Sequence, residues 1–106
     1  MAGGKEFQVY CSEINYTIVL DETNKICELR NGNTTFCRSN RFGLNQIGSK
    51  ALKNAFKYLM IEDVEKFEEL YQILKQNDSE MFEHAYNAVC EMRNFCLTFI
   101  NKNNFN

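Results

Sequence analysis

The chain has 106 residues, of which 44% are hydrophobic, 13% aromatic and 25% charged, and its formal net charge at pH 7 is −2. This length predicts one domain, and so weak a negative charge excludes bulk attraction to nucleic acid or to acidic membranes. No stretch approaches the roughly 20 consecutive apolar residues that cross a bilayer. The residues after Lys5 lack the apolar segment of a secretory signal, so no such signal is predicted.

The first third of the chain alternates between apolar and polar residues, as strands do. Residues 6–11 form a short candidate strand, and residues 14–20 alternate over their whole length. Residues 25–30 and 33–38 flank Asn31-Gly32, a dipeptide typical of a type I′ hairpin turn with positive φ at both central residues. The pattern therefore predicts an antiparallel β-meander.

The second half of the chain has the period of helices. Residues 39–48 show no period and predict a loop, after which Ser49 is a candidate N-cap. Apolar residues then recur at i, i+3, i+4 and i+7 in two successive stretches. Whether residues 61–63 break the helix between the two stretches stays open. The two stripes consist of Leu52, Ala55, Phe56, Leu59 and Met60, and of Val64, Phe67, Leu70, Tyr71 and Leu74.

A last helix is predicted over about residues 78–101, with Asn77 as N-cap and Glu80 completing a capping box. Its apolar face is wider than the roughly 100° that buries one side of a helix. A domain of this size cannot enclose such a helix on most sides, so the pattern predicts a homodimer or higher homo-oligomer through it. The face consists of Met81, Ala85, Ala88, Val89, Met92, Phe95, Cys96 and Phe99, with Phe82, Tyr86, Leu97 and Ile100 beside them.

The predicted fold is α+β. A single domain over residues 1–106 is expected to have an N-terminal antiparallel β-meander and a loop in residues 1–47. Two or three C-terminal helices are expected in residues 48–106.

Catalytic or metal chemistry is not predicted. His84 is the only histidine, and the sequence around it offers neither an acid–base partner nor a second metal ligand. Five cysteines without framework spacing favour a reducing compartment, which predicts a cytoplasmic protein. The sequence thus predicts a non-enzymatic protein without a cofactor. A small enzyme is a less favoured alternative to the two binding functions considered next. The cysteines are Cys11, Cys27, Cys37, Cys90 and Cys96.

Basic residues between positions 24 and 45 predict a binding site. Arg30, Arg38 and Arg41 lie in this segment, where Glu28 is the only acid. Guanidinium groups bind phosphate bidentately, and the ring of Phe42 is expected to stack on a base. These residues predict non-catalytic binding of a small anionic, nucleotide-like ligand in a cleft between sheet and helices.

Arg93 is the only basic residue in the inner part of the last helix. An arginine among apolar neighbours is expected to meet an anionic ligand, or else to reach water or a carboxylate such as Glu91. Double-stranded DNA is not an expected partner because the pI is about 5.4. The alternative function is a protein–protein inhibitor or adaptor of the anti-CRISPR kind, acting through an acidic helical face. That face carries Glu62, Asp63, Glu65, Glu68 and Glu69, which otherwise form an ordinary solvated surface.

A compact meander followed by helices, with arginines in both halves, resembles the phage Thoeris anti-defence proteins, which sequester cyclic ADP-ribose isomers. The resemblance implies a non-enzymatic oligomeric sponge whose pocket uses arginines from the sheet and the last helix, an aromatic ring and an amide. On this chain Arg38 or Arg41, Arg93, and Phe42 or Phe82 would fill those roles. The chain departs from that pattern after Arg93, since residues 94–97 contain no second arginine.

Overall fold

The computed structural model describes residues 4–11, 13–44 and 48–104, with their side chains except those of residue 95 and residues 98–104. Four strands are followed by three helices, so the predicted α+β fold is confirmed. The part of the predicted loop at residues 45–47 lies outside the described residues. The elements are β1 Lys5–Cys11, β2 Ile14–Asp21, β3 Ile26–Asn31, β4 Thr34–Ser39, α1 Ser49–Glu62, α2 Val64–Gln76 and α3 Glu80–Asn104.

The strands form one antiparallel sheet in the order β1-β2-β3-β4. Alternate residues are buried on one face, which the helices cover, and each such side chain contributes roughly 1.5–3 kcal/mol to folding. We call this the inner face; the opposite face is the outer face. The buried apolar strand residues are Phe7, Val9, Ile18, Leu20, Cys27, Leu29 and Cys37.

The free edge of β1 is held by the helices. The backbone N–H of Tyr10 donates to the Glu62 carboxylate at the end of α1 (2.9 Å). Lys5 Nζ donates to Glu69 Oε1 on α2 (2.9 Å). The backbone and side chains of this edge strand are thus partly occupied by the helical half.

The β3–β4 turn differs from the predicted one. Asn31 pairs with Thr34, so the two central residues are Gly32 and Asn33 rather than Asn31 and Gly32. Gly32 has φ +59° and Asn33 a negative φ. Positive φ at the first central residue alone is the pattern of a type II′ turn, which suits the twist of a hairpin equally well.

The N-cap of α1 lies one residue earlier than predicted. Gly48, not Ser49, is the N-cap, and as a glycine it has no side chain to bond the first backbone N–H groups. A Cβ at Gly48 would overlap the Cβ of Cys37 and lie 3.0 Å from its Sγ. The close approach of helix and strand therefore requires glycine at the position where a capping side chain would otherwise stand. The predicted apolar stripe is confirmed for Leu52, Ala55, Phe56 and Leu59, which are all buried.

The helix breaks at Asp63. The Asp63 N–H donates to the carbonyl of Leu59 as the last bond of α1. Its side chain accepts from the backbone N–H of Lys66 (3.1 Å) and so caps α2. Phe67, Leu70 and Leu74 of the predicted stripe are buried, whereas Val64, the first residue of α2, is exposed.

The predicted cap of the last helix was wrong. Asn77 closes α2 instead, with its side-chain amide donating to the carbonyl of Ile73 (2.7 Å). Ser79, the residue before α3, caps the helix, since its hydroxyl accepts from the N–H of Met81 (3.0 Å).

The first half of α3 packs into the core, whereas the described side chains of residues 93, 94, 96 and 97 are exposed. Met81, Ala85 and Ala88 are buried as predicted, but Cys96 and Leu97 are exposed. The side chains of Phe95, Phe99 and Ile100 in the predicted face lie outside the described residues. Among the described helices, none combines the length and apolar character that a membrane span requires.

Glu91 of α3 is bound by two lysines of α1. It forms ion pairs with Lys53 and with Lys57, the latter at 3.1 Å. Hydrogen bonds from these ammonium groups hold the pKa of the Glu91 carboxyl below its ordinary value. Glu91, named above as one alternative partner for Arg93, is thus paired with α1.

Candidate functional site

Two of the predicted arginines meet in a cleft on the outer face of the sheet. Because Ile18, Leu20, Cys27 and Leu29 point to the inner face, the residues that alternate with them point outward. The cleft, which we call the outer cleft, has a volume of about 310 Å³. It is lined by Gly4, Glu6, Val19, Asp21, Ile26, Glu28, Arg30 and Arg38.

Glu28 lies between the two arginines. Arg30 Nη2 donates to Glu28 Oε1 at 2.6 Å, and Arg38 Nε lies 3.9 Å from Glu28 Oε2. Glu28 and Arg38 are direct partners across β3 and β4. The Glu28 side chain is only 14% exposed, whereas that of Arg38 is 55% exposed. Arg38 is therefore attracted to Glu28 without being fixed by it.

Arg30 has donor capacity left over. Its Nε is buried and has no hydrogen-bond partner. A guanidinium group has five N–H donors, and a buried donor without a partner costs roughly 1–3 kcal/mol. An acceptor within hydrogen-bonding distance of this Nε would remove that cost.

The outer cleft also carries negative charge. Glu6, Asp21 and Glu28 stand against Arg30 and Arg38, which gives a formal charge of −1. The Asp21 carboxylate is engaged in its own turn: Oδ2 accepts from the Asn24 side chain (2.9 Å) and Oδ1 from backbone N–H groups. These bonds, the side-chain bond from Asn24 above all, lower the pKa of Asp21. The outer cleft thus offers charges of both signs.

The expectation that Phe42 stacks on a ligand is wrong. Its ring is fully buried, so neither face is open to a base. The Phe42 N–H donates to the carbonyl of Lys25 (2.6 Å), and the Phe42 carbonyl accepts from the Ser79 hydroxyl (3.0 Å). Phe42 thereby joins the β2–β3 turn to the start of α3.

The turn that presents Phe42 has an unusual backbone. Arg41 and Phe42 both have positive φ, +56° and +53°. Residues other than glycine adopt this conformation at a cost of roughly 1–2 kcal/mol each. Burial of the Phe42 ring offsets that cost, and Arg41 is left exposed beside it.

The remaining predicted site residues lie on α3, away from the outer cleft. Arg93 is exposed in the second half of that helix. Phe82 packs in a row of rings, with centroids 5.0 Å from Tyr71 and 6.4 Å from Tyr86. Since the helices cover the inner face, a single chain does not bring Arg93 or Phe82 together with Arg30 and Arg38. The predicted composite site is therefore not assembled within one chain.

A second cavity lies where the cleft was expected, between the sheet and a helix, but it contains none of the predicted residues. This inner cavity has a volume of about 410 Å³. Sequence reasoning missed it, although the small residues at positions 51 and 55 share one face of α1 and leave room there. It is lined by Cys11, Tyr16, Leu29, Phe36, Gly48, Ala51, Asn54 and Ala55.

Comparisons of the chain with protein-family models, with curated proteins and with solved structures find no match.

Proposed function

We propose that this protein is a non-enzymatic binding protein that holds a small anionic, nucleotide-like ligand in the outer cleft. The observation that carries the proposal is that Arg30 and Arg38 share one cleft while Arg30 Nε is buried without a partner. A cyclic nucleotide or an ADP-ribose derivative has suitable chemistry, and sequestration of such a signal would make the protein a sponge.

The outer cleft supports a division of roles. Phosphate oxygens accept from the two guanidinium groups, which suit bidentate contacts. Glu6 accepts from a hydroxyl or an amino group of the same ligand. Val19 and Ile26 line the cleft between these charges and offer an apolar surface to a base. Holding a ligand in this way requires no catalytic group.

The first test is a thermal-shift and calorimetric titration with ADP-ribose, a cyclic mononucleotide and a cyclic dinucleotide. Binding to the native state raises stability by about 2.7 kcal/mol when the ligand is at 100 times its Kd. We expect Arg38→Ala to weaken binding about 10- to 100-fold, because a hydrogen bond to a charged group contributes roughly 1.5–3 kcal/mol. Glu28→Gln is expected to strengthen binding, since it removes the carboxylate that competes for both arginines.

Arg93→Ala is the matched control, since it removes one exposed arginine outside the outer cleft and is expected to leave affinity unchanged. Equal affinity of wild type and Arg38→Ala would contradict the proposed site. Mass spectrometry of the ligand after incubation distinguishes holding from turnover, because a changed mass would indicate an enzyme.

We further propose that two copies associate through the second half of α3. The supporting observation is that Leu97, which follows the buried residues of α3, is about half exposed. Light scattering is expected to give a dimer mass, and Leu97→Asp to give a monomer, because a charge opposes burial of that face. A monomer mass for the wild type at micromolar concentration would refute the association.

A protein–protein inhibitor or adaptor is the second candidate. Ile61 and Val64 are both more than half exposed at the break between α1 and α2, beside the exposed Glu65 and Glu68. Exposed apolar side chains rimmed by charge are typical of protein-binding surfaces. No thermal shift with any ligand, together with loss of partner capture in a Glu65→Lys, Glu68→Lys variant, would favour this candidate.

A further inference from the structure

The inner cavity has features of a ligand-binding site, and its lining includes neither arginine of the outer cleft. Its volume of about 410 Å³ falls within the roughly 300–1,000 Å³ of small-molecule pockets. It opens between the sheet and the first half of α1, on the opposite side of the sheet from the outer cleft.

A β-bulge brings an aromatic ring to this cavity. Leu29 pairs with Cys37 and Arg30 with Thr35, so Phe36 is an extra residue on β4. Regular alternation would turn Phe36 to the outer face, because Cys37 is buried on the inner one. The bulge turns it inward instead. There the rings of Phe36 and Tyr16 meet edge to face, with their centroids 5.4 Å apart and an angle of 61° between their planes.

Phe36 nevertheless remains 50% exposed, although it stands on the covered side of the sheet. Half of this large ring is therefore available to contact a bound molecule. Tyr16, partly buried against the core, completes the aromatic wall.

The helical wall is made of small residues. Gly48, Ala51 and Ala55 face the aromatic rings across the inner cavity, and Asn54 stands beside them. The Asn54 side chain has both a donor and an acceptor. The inner cavity therefore combines an aromatic wall, a wall of small residues and one side chain that can both donate and accept a hydrogen bond.

The chemistry of the walls defines what fits. The described lining residues include no Asp, Glu, Lys or Arg, so an ionised ligand would lose hydration without gaining a counter-charge. We propose that the inner cavity binds a small, uncharged aromatic molecule of about two fused rings that carries one hydrogen-bonding group. Its rings pack edge-on against Phe36 and Tyr16, and its polar group bonds to Asn54.

The test is a ¹⁵N–¹H NMR titration of the full chain with 2-naphthol, a flat, uncharged two-ring molecule with one hydroxyl. Chemical-shift changes are expected to cluster at Cys11, Phe36, Ala51 and Asn54. Ala51→Leu fills the inner cavity from the helical side and is expected to weaken binding about tenfold or more. Phe36→Leu keeps an apolar side chain but removes the ring, and is expected to weaken binding about fivefold.

Tyr86→Leu is the matched control, since Tyr86 is 52% exposed on α3 and does not line the inner cavity. It is expected to bind 2-naphthol like the wild type. Circular dichroism and the melting temperature verify that each variant is folded.

Three outcomes would overturn the proposal: no saturable shifts, shifts spread equally over Tyr86 and the inner cavity, or unchanged affinity in folded Ala51→Leu. Concentration-dependent shifts of the same amides without 2-naphthol would also overturn it, since they would put a second copy of the chain there. Anion binding at the outer cleft is measured separately, so either proposal can fail without the other.

Discussion

Replacing Phe42 with alanine is expected to lower the free energy of unfolding by about 3–5 kcal/mol, the usual cost of removing a buried aromatic ring. The loss is large because the ring is fully buried and the substitution leaves the left-handed backbone in place without the packing that offsets it. For a domain of this size the melting temperature is expected to fall by about 15 °C or more. Urea denaturation followed by circular dichroism measures the change.

The Phe42 substitution also has a local signature. The N–H of Leu44 donates to Glu80 Oε2 (3.0 Å), and the N–H of Met81 donates to the Phe42 carbonyl (3.4 Å), so both amides have bonds that depend on the docking of this turn on α3. In hydrogen exchange they are expected to lose protection before the amides of the sheet do. Phe42→Leu gives the same signature at smaller cost if the alanine variant does not fold.

Tyr86→Ala serves as the control for ring removal, because it deletes a half-exposed aromatic side chain. It is expected to cost about 1 kcal/mol or less. Equal unfolding midpoints for Phe42→Ala and the wild type would show that Phe42 does not anchor the turn.

Gly48→Ala is expected to destabilise the protein by about 1–3 kcal/mol, the range for an added group in a packed site. Glycine is also preferred to alanine at an N-cap, so both causes destabilise and the sign of the effect does not distinguish them. The new Cβ would meet the Cβ of Cys37, which belongs to β4 and cannot move without moving the strand. Chemical denaturation measures the difference.

Partner substitutions identify the origin of the Gly48 effect. Cys37→Ala keeps the Cβ that obstructs and is expected to give no relief, whereas Cys37→Gly removes it and is expected to recover part of the loss. A double-mutant cycle with each partner isolates this interaction. Additive effects of Gly48→Ala and Cys37→Gly would mean that the close approach is not the cause.

The sheet and the helical stripes were predictable because local pattern determines them. Alternation in residues 14–20 and the turn around Gly32 define the hairpins to within about one residue. Spacing of i, i+3 and i+4 likewise identified Leu52, Phe56 and Leu59 as core residues. In these elements, short-range preference and long-range packing favour the same structure.

The sites were harder to predict because they depend on irregular backbone. A bulge at Phe36 reverses the direction that alternation assigns to its side chain. Positive φ at Phe42 contradicts the preference of a bulky residue, so a ring that looked available to a ligand is buried. The segment 24–45 contains one acid against three arginines, but folding adds Glu6 and Asp21 to the outer cleft.

The two margins of the sheet are unequal in chemistry but alike in effect. Along β1, the Glu62 carboxylate accepts from the backbone N–H of Tyr10, which an incoming strand would need, and the Lys5 side chain is paired with Glu69 of α2. Along β4, the extra residue interrupts the straight run of amides and carbonyls. Edge-to-edge pairing of sheets from different copies is therefore disfavoured at both edge strands. Copies of this chain should meet through their helices rather than through backbone hydrogen bonds between strands.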